Sequence, residues 1–178
     1  MFTEAFVTLR PLDDADIRPM AMLLNNPRIT CNLRDLIPFP YTKNDAAFFI
    51  NLNKTQRPVC VFAIVYQDHF CGVIGMVPQL DVYRKSAEVG YWLGEPFWNK
   101  GILTTALKLI SAYGFSLGYI RLFAGVFEHN IPSMKVLEKN GYQKEGIFEQ
   151  SIFKNGQVWN EHRYAKTSAG LPPASTTQ

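Results

Sequence analysis

Residues 97–104 read FWNKGILT and run directly into ALKLISAYGF. The second stretch has helical spacing: Leu103, Leu107, Ile110 and Tyr113, with Ala106 and Leu117, recur three and four residues apart. Glycine is among the poorer helix formers, so Gly101 in the opening turn needs a reason. The first backbone N–H groups of a helix have no partner inside it, and the helix dipole makes that end positive. Together they form a site for a phosphate-bearing ligand, and a glycine there lets oxygens approach the backbone closely. Lys100 adds a mobile positive charge. On these eight residues alone a plainer reading stays open, with Asn99 as an N-cap and Gly101 as a tolerated turn residue. The helix start carries neither a dinucleotide fingerprint (GxGxxG) nor a P-loop (GxxxxGK followed by Ser or Thr).

The elements around this turn follow from pattern. Residues 6–10 (FVTLR) read as a strand, and Asp13 or Asp14 caps a helix to about Asn25, with Ile17, Met20, Leu23 and Leu24 inward. An irregular, proline-containing segment follows. Thr42 then caps a helix over Asp45–Asn53 that is expected to bury Ala47, Phe48, Ile50 and Leu52. Strands Val59–Tyr66, Gly72–Leu80 and Ser86–Leu93 form an antiparallel meander, turning at Gln67-Asp68 and near Asp81. The helix of FWNKGILT leads to strand Ile120–Phe127, and this crossover makes the last two strands parallel. A short helix, Ile131–Lys139, stops at Asn140-Gly141, and two strands, 142–153 and 158–165, close a hairpin at Asn155-Gly156. The expected fold class is α/β (α+β): a mixed central sheet of about seven strands and four to five helices. Residues 1–166 form one domain in this reading, and 167–178 (TSAGLPPASTTQ) a disordered tail.

Composition narrows the function classes. The chain has 178 residues, 47% of them apolar and 13% aromatic, which excludes a disordered chain. A net charge of +3 suits an acidic small ligand, yet no Lys/Arg run marks a nucleic-acid surface, so direct nucleic-acid binding is not expected. No apolar stretch reaches membrane-span length and the N-terminus lacks signal-peptide order, so no membrane contact is expected and the cytoplasm is the default address. Three cysteines and three scattered histidines show no metal or disulfide spacing, and no metal is expected. The chain reads as a monomer or homodimer.

The order of elements around the turn resembles the GNAT superfamily of acetyl-CoA-dependent N-acetyltransferases. The details look like its branch of ribosomal-protein N-terminal acetyltransferases (RimJ/RimL type). Four stretches carry the resemblance: LRPLDDADI, AEVGYWLGEPFWNKGILTTAL, NIPSMKVLEKNGYQKEG and NGQVWNEHRYA, spanning about residues 7–166. The resemblance implies that the acetyl-CoA pyrophosphate sits on the turn Trp98–Thr104. Its ligands would be the N–H groups of Asn99, Lys100, Gly101, Leu103 and Thr104. The superfamily pattern here is Gln/Arg-x-x-Gly-x-Gly/Ala; this chain keeps Gly101 but has Trp98 and Leu103 at the ends. Asn130 and Ser133 match the branch's Asn-x-x-Ser, which implies Asn130 at the pantetheine arm and Ser133 near the thiol. The alternatives, an N-cap for Asn130 and a bland first-turn serine, stay open. The segment around Cys31 and Asn32 and the late hairpin would line the acceptor cleft.

Acyl transfer needs a neutral amine. Deprotonating an alkyl amine at pH 7 costs about 4 kcal/mol, and a protein α-amino group about 1 kcal/mol. A carboxylate near the thioester can take that proton directly or through water. Glu88 is the best candidate, in an apolar strand (SAEVGYWL) where burial raises a carboxyl pKa toward a useful range. By alternation it shares a face with Ser86, Gly90 and Trp92. A strand-end glutamate paired with Arg84 or Lys85 is the competing reading, and Glu128 and Glu161 are weaker candidates. The resemblance also implies that the two parallel strands splay here, so that amides between Val89 and Leu93 polarise the thioester carbonyl, with Gly90 easing a local distortion. Tyr142 is assigned to packing. The activity the resemblance implies is transfer of acetyl to a primary amine, and the branch resemblance alone puts a protein N-terminal α-amino group ahead of a polyamine or amino sugar. A CoA-binding module without transfer chemistry is the non-enzyme alternative.

Overall fold

Apolar alternation builds the strands, and the way they join decides where the chemistry sits. The computed structural model describes residues 1–168. Eight strands run along the chain: β1 (Phe2–Glu4), β2 (Val7–Pro11), β3 (Val61–Tyr66), β4 (His69–Pro78), β5 (Ser86–Leu93), β6 (Arg121–Phe127), β7 (Gln143–Lys154) and β8 (Gln157–Thr167). They make one sheet in the order β1-β2-β3-β4-β5-β6-β8-β7, antiparallel throughout except between β5 and β6. Among the described residues five α-helices accompany it: α1 (Ile17–Leu24), α2 (Pro27–Thr30), α3 (Lys43–Lys54), α4 (Ile102–Ser116) and α5 (Ile131–Lys139).

The sheet therefore has one strand more than the seven expected. The addition is β1, three residues long, which returns to β2 through Ala5 and Phe6 at φ 47° and 68°. Neither residue type signals such a turn, whereas Gln67-Asp68 and Asn155-Gly156 adopt the same positive φ where polar turn residues announce it.

Two cores flank the sheet. Ile102, Leu107 and Ile110 of α4 and Leu137 of α5 pack with Leu9, Ile64, Ile74, Ala87, Val89 and Leu122. Met20, Leu24 and Ile50 of α1 and α3 pack with Ala63, Val73 and Trp92 on the opposite face. Strand β5 shows the alternation directly, sending Ala87, Val89 and Leu93 to the first core and Trp92 to the second. Glu88, in phase with Trp92, thus faces the α1/α3 side.

The start of α3 is as expected: Thr42 and Asp45 cap each other reciprocally. Its buried stripe is not. Ala46, Ile50 and Asn53 face inward, while Phe48 is 71% and Leu52 56% exposed. The expected set of Ala47, Phe48, Ile50 and Leu52 follows side-chain bulk. The packed helix instead aligns 46, 50 and 53, the four-and-three spacing of a single face. Asn53 tolerates burial because its side chain donates to the Phe49 carbonyl (2.7 Å).

The segment LRPLDDADI closes on Asp16, which is 1% exposed. Arg10 grips both carboxylate oxygens (2.8 and 2.6 Å), and the Asp13 N–H adds a third bond (2.9 Å). At the other end, β8 includes Thr167, and the Ser168 N–H donates to the Ile120 carbonyl (2.9 Å). The strand passes the expected boundary at 166, and the tail beyond residue 168 lies outside the described residues.

Candidate active site

The site begins where the parallel pair of β5 and β6 ends. Pairing of β5 with β6 runs from Ser86–Arg121 to Glu88–Phe123 and stops. Past that point β5 continues to Leu93 against β4, and β6 continues to Phe127 against β8. The two strands part, leaving the β6-facing edge of Val89–Leu93 without a strand partner among the described residues. Gly90 lies on this edge with an ordinary φ, and a Cβ there would meet nothing within 4 Å. The expected easing of backbone distortion by Gly90 is therefore not required.

Next along the chain, a short turn carries β5 into α4. The Trp98 N–H donates to the Glu95 carbonyl (3.1 Å), and its indole Nε1 donates to the Leu93 carbonyl (2.8 Å). Arg28, ion-paired with Glu95, stacks on the indole at 5.3 Å. Trp98 thus frames the turn and ties it to the end of β5. Asn99 (φ 61°) and Gly101 (φ 74°) then both take left-handed backbone. The N-cap is Gly101, not Asn99, and it makes no side-chain cap. The first helical bond runs from Thr105 N–H to the Gly101 carbonyl (3.1 Å). Among the described residues, the N–H groups of Asn99 through Thr104 donate no hydrogen bond. Six free amides at a helix start have the chemistry to receive an anion.

A Cβ on Gly101 would also meet nothing within 4 Å. Its glycine answers to backbone conformation, since L side chains resist positive φ. Lys100 is exposed, with Nζ 5.7 Å from the Phe97 ring centre. Leu103 packs against the α4-side core. The Thr104 carbonyl accepts from Asn140 Nδ2 (3.1 Å), which clamps the start of α4 to the end of α5.

Helix α5 supplies the other wall. Asn130 caps it, its Oδ1 accepting from the Ser133 N–H (3.3 Å). Ser133 Oγ lies 2.9 Å from the Tyr91 hydroxyl. Burial, opposed by the Ser133 hydrogen bond, pushes the Tyr91 phenol well above its ordinary pKa, so it stays protonated. Tyr142, 2% exposed, points elsewhere. Ser111 Oγ donates to the Leu107 carbonyl (2.6 Å), so Tyr142 donates to Ser111 (2.9 Å). Burial raises the Tyr142 pKa to about 12. Packing is its role, and the tyrosine at Ser133 is Tyr91. The period-2 pattern of SAEVGYWL put Tyr91 on the correct face, but nothing local named its partner.

On the α1/α3 side, Glu88 is ion-paired with Arg34 rather than with Arg84 or Lys85. Its side chain is 18% exposed and that of Arg34 64%. The segment bearing Arg34 is anchored where Asn25 Oδ1 accepts the Tyr41 N–H (2.9 Å), and Asn26 caps α2. A cleft of about 280 Å³ lies between Leu33–Asp35, Phe127, Glu161 and the Ile152–Lys154 arm of the β7–β8 hairpin. Lys154 Nζ reaches Asp35 at 2.6 Å and closes one end. Glu128 is engaged by Asn160, through its N–H (2.9 Å) and Nδ2 (3.0 Å). Glu161 is paired with Arg163 (2.6 Å). Among the described residues no group of three His, Cys, Asp or Glu side chains could hold a metal, and no helix is long and apolar enough to cross a membrane.

A sheet opened at its parallel pair beside free helix-start amides defines an acyl-transfer scaffold of the GNAT class. Comparison with known proteins agrees, for the acetyltransferase (GNAT) domain family matches residues 7–143. The chain belongs to this family and is an acetyl-CoA-dependent N-acetyltransferase. The uncharacterized N-acetyltransferase YnaD of Bacillus subtilis (strain 168) is 31% identical over 126 residues, 70% of this chain and 74% of its own. The ribosomal-protein-serine acetyltransferase of Escherichia coli (strain K12) is 31% identical over 107 residues, 60% of this chain and 59% of its own. Spermidine N(1)-acetyltransferase of the same organism is 28% identical over 167 residues, 88% and 83%. A solved RimL structure, a ribosomal L7/L12 alpha-N-protein acetyltransferase with coenzyme A, has a TM-score of 0.79 at 22% identity. It covers 92% of this chain and 95% of its own, a likeness of fold.

Proposed function

We propose that the acceptor is the α-amino group of a protein or peptide N-terminus, acetylated by direct attack in a ternary complex within a domain spanning residues 1–166. The observation that carries this reading is the mixed charge of the cleft, where Arg34 and Lys154 stand beside Asp35 and Glu161. A polycationic acceptor calls for a predominantly acidic wall. The likeness to a ribosomal-protein-serine acetyltransferase supports a peptide acceptor, and such an acceptor puts the reaction in the cytoplasm. A small-molecule amine is the second reading, favoured by the spermidine acetyltransferase likeness over 88% of the chain.

Acetyl-CoA, when bound, supplies the thioester and takes away the thiol. The free amides of Asn99, Lys100, Gly101, Leu103 and Thr104 suit its pyrophosphate, and Lys100 adds charge. Trp98 holds that turn in place, and Asn130 is assigned to the pantetheine arm. Amides on the parted edge of Val89–Leu93 polarise the carbonyl. Glu88 takes the amine proton, directly or through water. Ser133 passes its proton to the departing sulfur and takes one back from solvent. The Tyr91 hydroxyl, 2.9 Å from Ser133 Oγ, ties this serine to the parted edge of β5.

The test is thiol release from acetyl-CoA over a panel of free-N-terminus peptides and small amines. The peptides are expected to give the highest kcat/KM. Spermidine or an amino sugar ahead of every peptide overturns the assignment.

A further inference from the structure

Glu88 leaves a second carboxylate on its side of the sheet without a task. Glu161 pairs in register with Phe127, and Phe123, on the same face of β6, pairs with Glu88. The Glu161 side chain does not stay over Phe127. It leans onto Gly125, where a Cβ would stand 2.5 Å from its carboxyl carbon and 2.6 and 2.8 Å from its two oxygens. The carboxylate thus rests on the bare Cα of residue 125, on the strand that borders the parted edge of β5.

Arg163 holds it there. Nε and Nη2 both donate to Oε1, at 3.0 and 2.6 Å. The guanidinium itself lies between the Phe123 and Phe148 rings, 5.0 and 4.8 Å from their centres. Oε2 receives no hydrogen bond among the described residues, and the side chain, 17% exposed, lines the cleft that also contains Arg34. One oxygen is locked by a stacked arginine and the other is left to the cleft. A carboxylate has lone pairs for more donors than this one has. The ion pair is neutral overall, so it offers an aimed oxygen in place of net negative charge.

The geometry points to Glu161 as the acceptor-docking carboxylate, its Oε2 receiving an N–H of the incoming primary ammonium before Glu88 takes the proton. Gly125 lacks a side chain because that carboxylate occupies its place. The acceptor class is a primary amine that arrives charged, whether α-amino or alkyl. This rests on the amine-acetyltransferase reading and on Glu88 as the base.

The test compares wild type, Glu161→Gln and Gly125→Ala on two acceptors. One is the peptide that wild type acetylates best, and the other its aminooxy-terminated counterpart, which is uncharged at neutral pH. Loss of one charge-assisted hydrogen bond raises KM for the amine about ten-fold or more. The aminooxy acceptor and acetyl-CoA are expected to keep their KM within about two-fold. Gly125→Ala reproduces the pattern, because its Cβ displaces only the end of the Glu161 side chain. Retained thermal stabilisation by acetyl-CoA shows that both variants are folded. An unchanged amine KM, or equal losses on both acceptors, overturns the role of Glu161 while leaving the acetyltransferase reading intact. If wild type turns over no amine at all, the reading fails and the docking role with it.

Discussion

Tyr91 and Ser133, 42 residues apart in the chain, meet through hydroxyls 2.9 Å apart and join β5 to the first turn of α5. Replacing Tyr91 with Phe keeps the ring and removes this bond. One neutral hydrogen bond corresponds to a fall in kcat of about two- to ten-fold, with KM for acetyl-CoA unchanged. Ser133→Ala lowers kcat by roughly a hundred-fold. In that background Tyr91→Phe should add nothing, and steady-state kinetics on the double variant checks it. Independent losses would separate Tyr91 from the serine.

Gly101 sits at φ 74° with open space around its missing side chain. Gly101→Val should raise KM for acetyl-CoA and destabilise by roughly 1–2 kcal/mol, through backbone strain alone. Gly101→Asn, which accepts left-handed backbone, should recover most of both losses. Equal effects of Val and Asn would point to crowding instead.

Glu88→Gln should slow turnover most at low pH. Near pH 6 an α-amino acceptor is mostly protonated and needs a base; near pH 9 the free amine is abundant. A rate ratio of wild type to variant that stays flat across this range removes Glu88 as the base.

Alkaline stability has a sign that follows from the buried phenols. Burial raises Tyr41 and Tyr142 to about 12, and Tyr91 further. Above pH 10 the unfolded chain loses these protons while the fold keeps them, so stability falls as pH rises through 10 to 12. The slope is about 1.4 kcal/mol per pH unit for each proton that differs. Thermal midpoints between pH 8 and 11.5 should show the fall, and Tyr142→Phe should flatten it.

Asp16 is buried at 1% exposure with Arg10 on both oxygens. Arg10→Met leaves that carboxylate unpaired and should cost about 3 kcal/mol in urea unfolding. Exchanging both partners for apolar residues should cost less, and a larger loss in the double variant would contradict this account.

Much of the frame was legible because its signals are local. The Thr42–Asp45 capping box, the Gln67-Asp68 and Asn155-Gly156 turns and the start of α4 each depend on residues a few positions apart, and the strand–helix–strand order is enough to make β5 and β6 parallel. Strand β1 was not, since Ala5 and Phe6 hold positive φ only because β2 gives β1 a partner. The phase of α3 escaped for a related reason: Phe48 and Leu52 are apolar, yet the sheet had room for Ala46 and Ile50.

Local pattern alone determined that a helix begins on a glycine after a strand bearing Glu88, because neighbouring residues suffice to set backbone conformation and face. The amide-rich helix start and the Asn130 cap belong to that level, whereas the left-handed backbone of Asn99 and the move of the N-cap to Gly101 do not. Tertiary structure decided which side chains meet: Arg34 with Glu88, Tyr91 with Ser133, Glu161 over Gly125. Period and propensity fix the direction in which a side chain leaves its element. The partner it finds depends on register and on packing between segments tens of residues apart, which no short window of sequence contains.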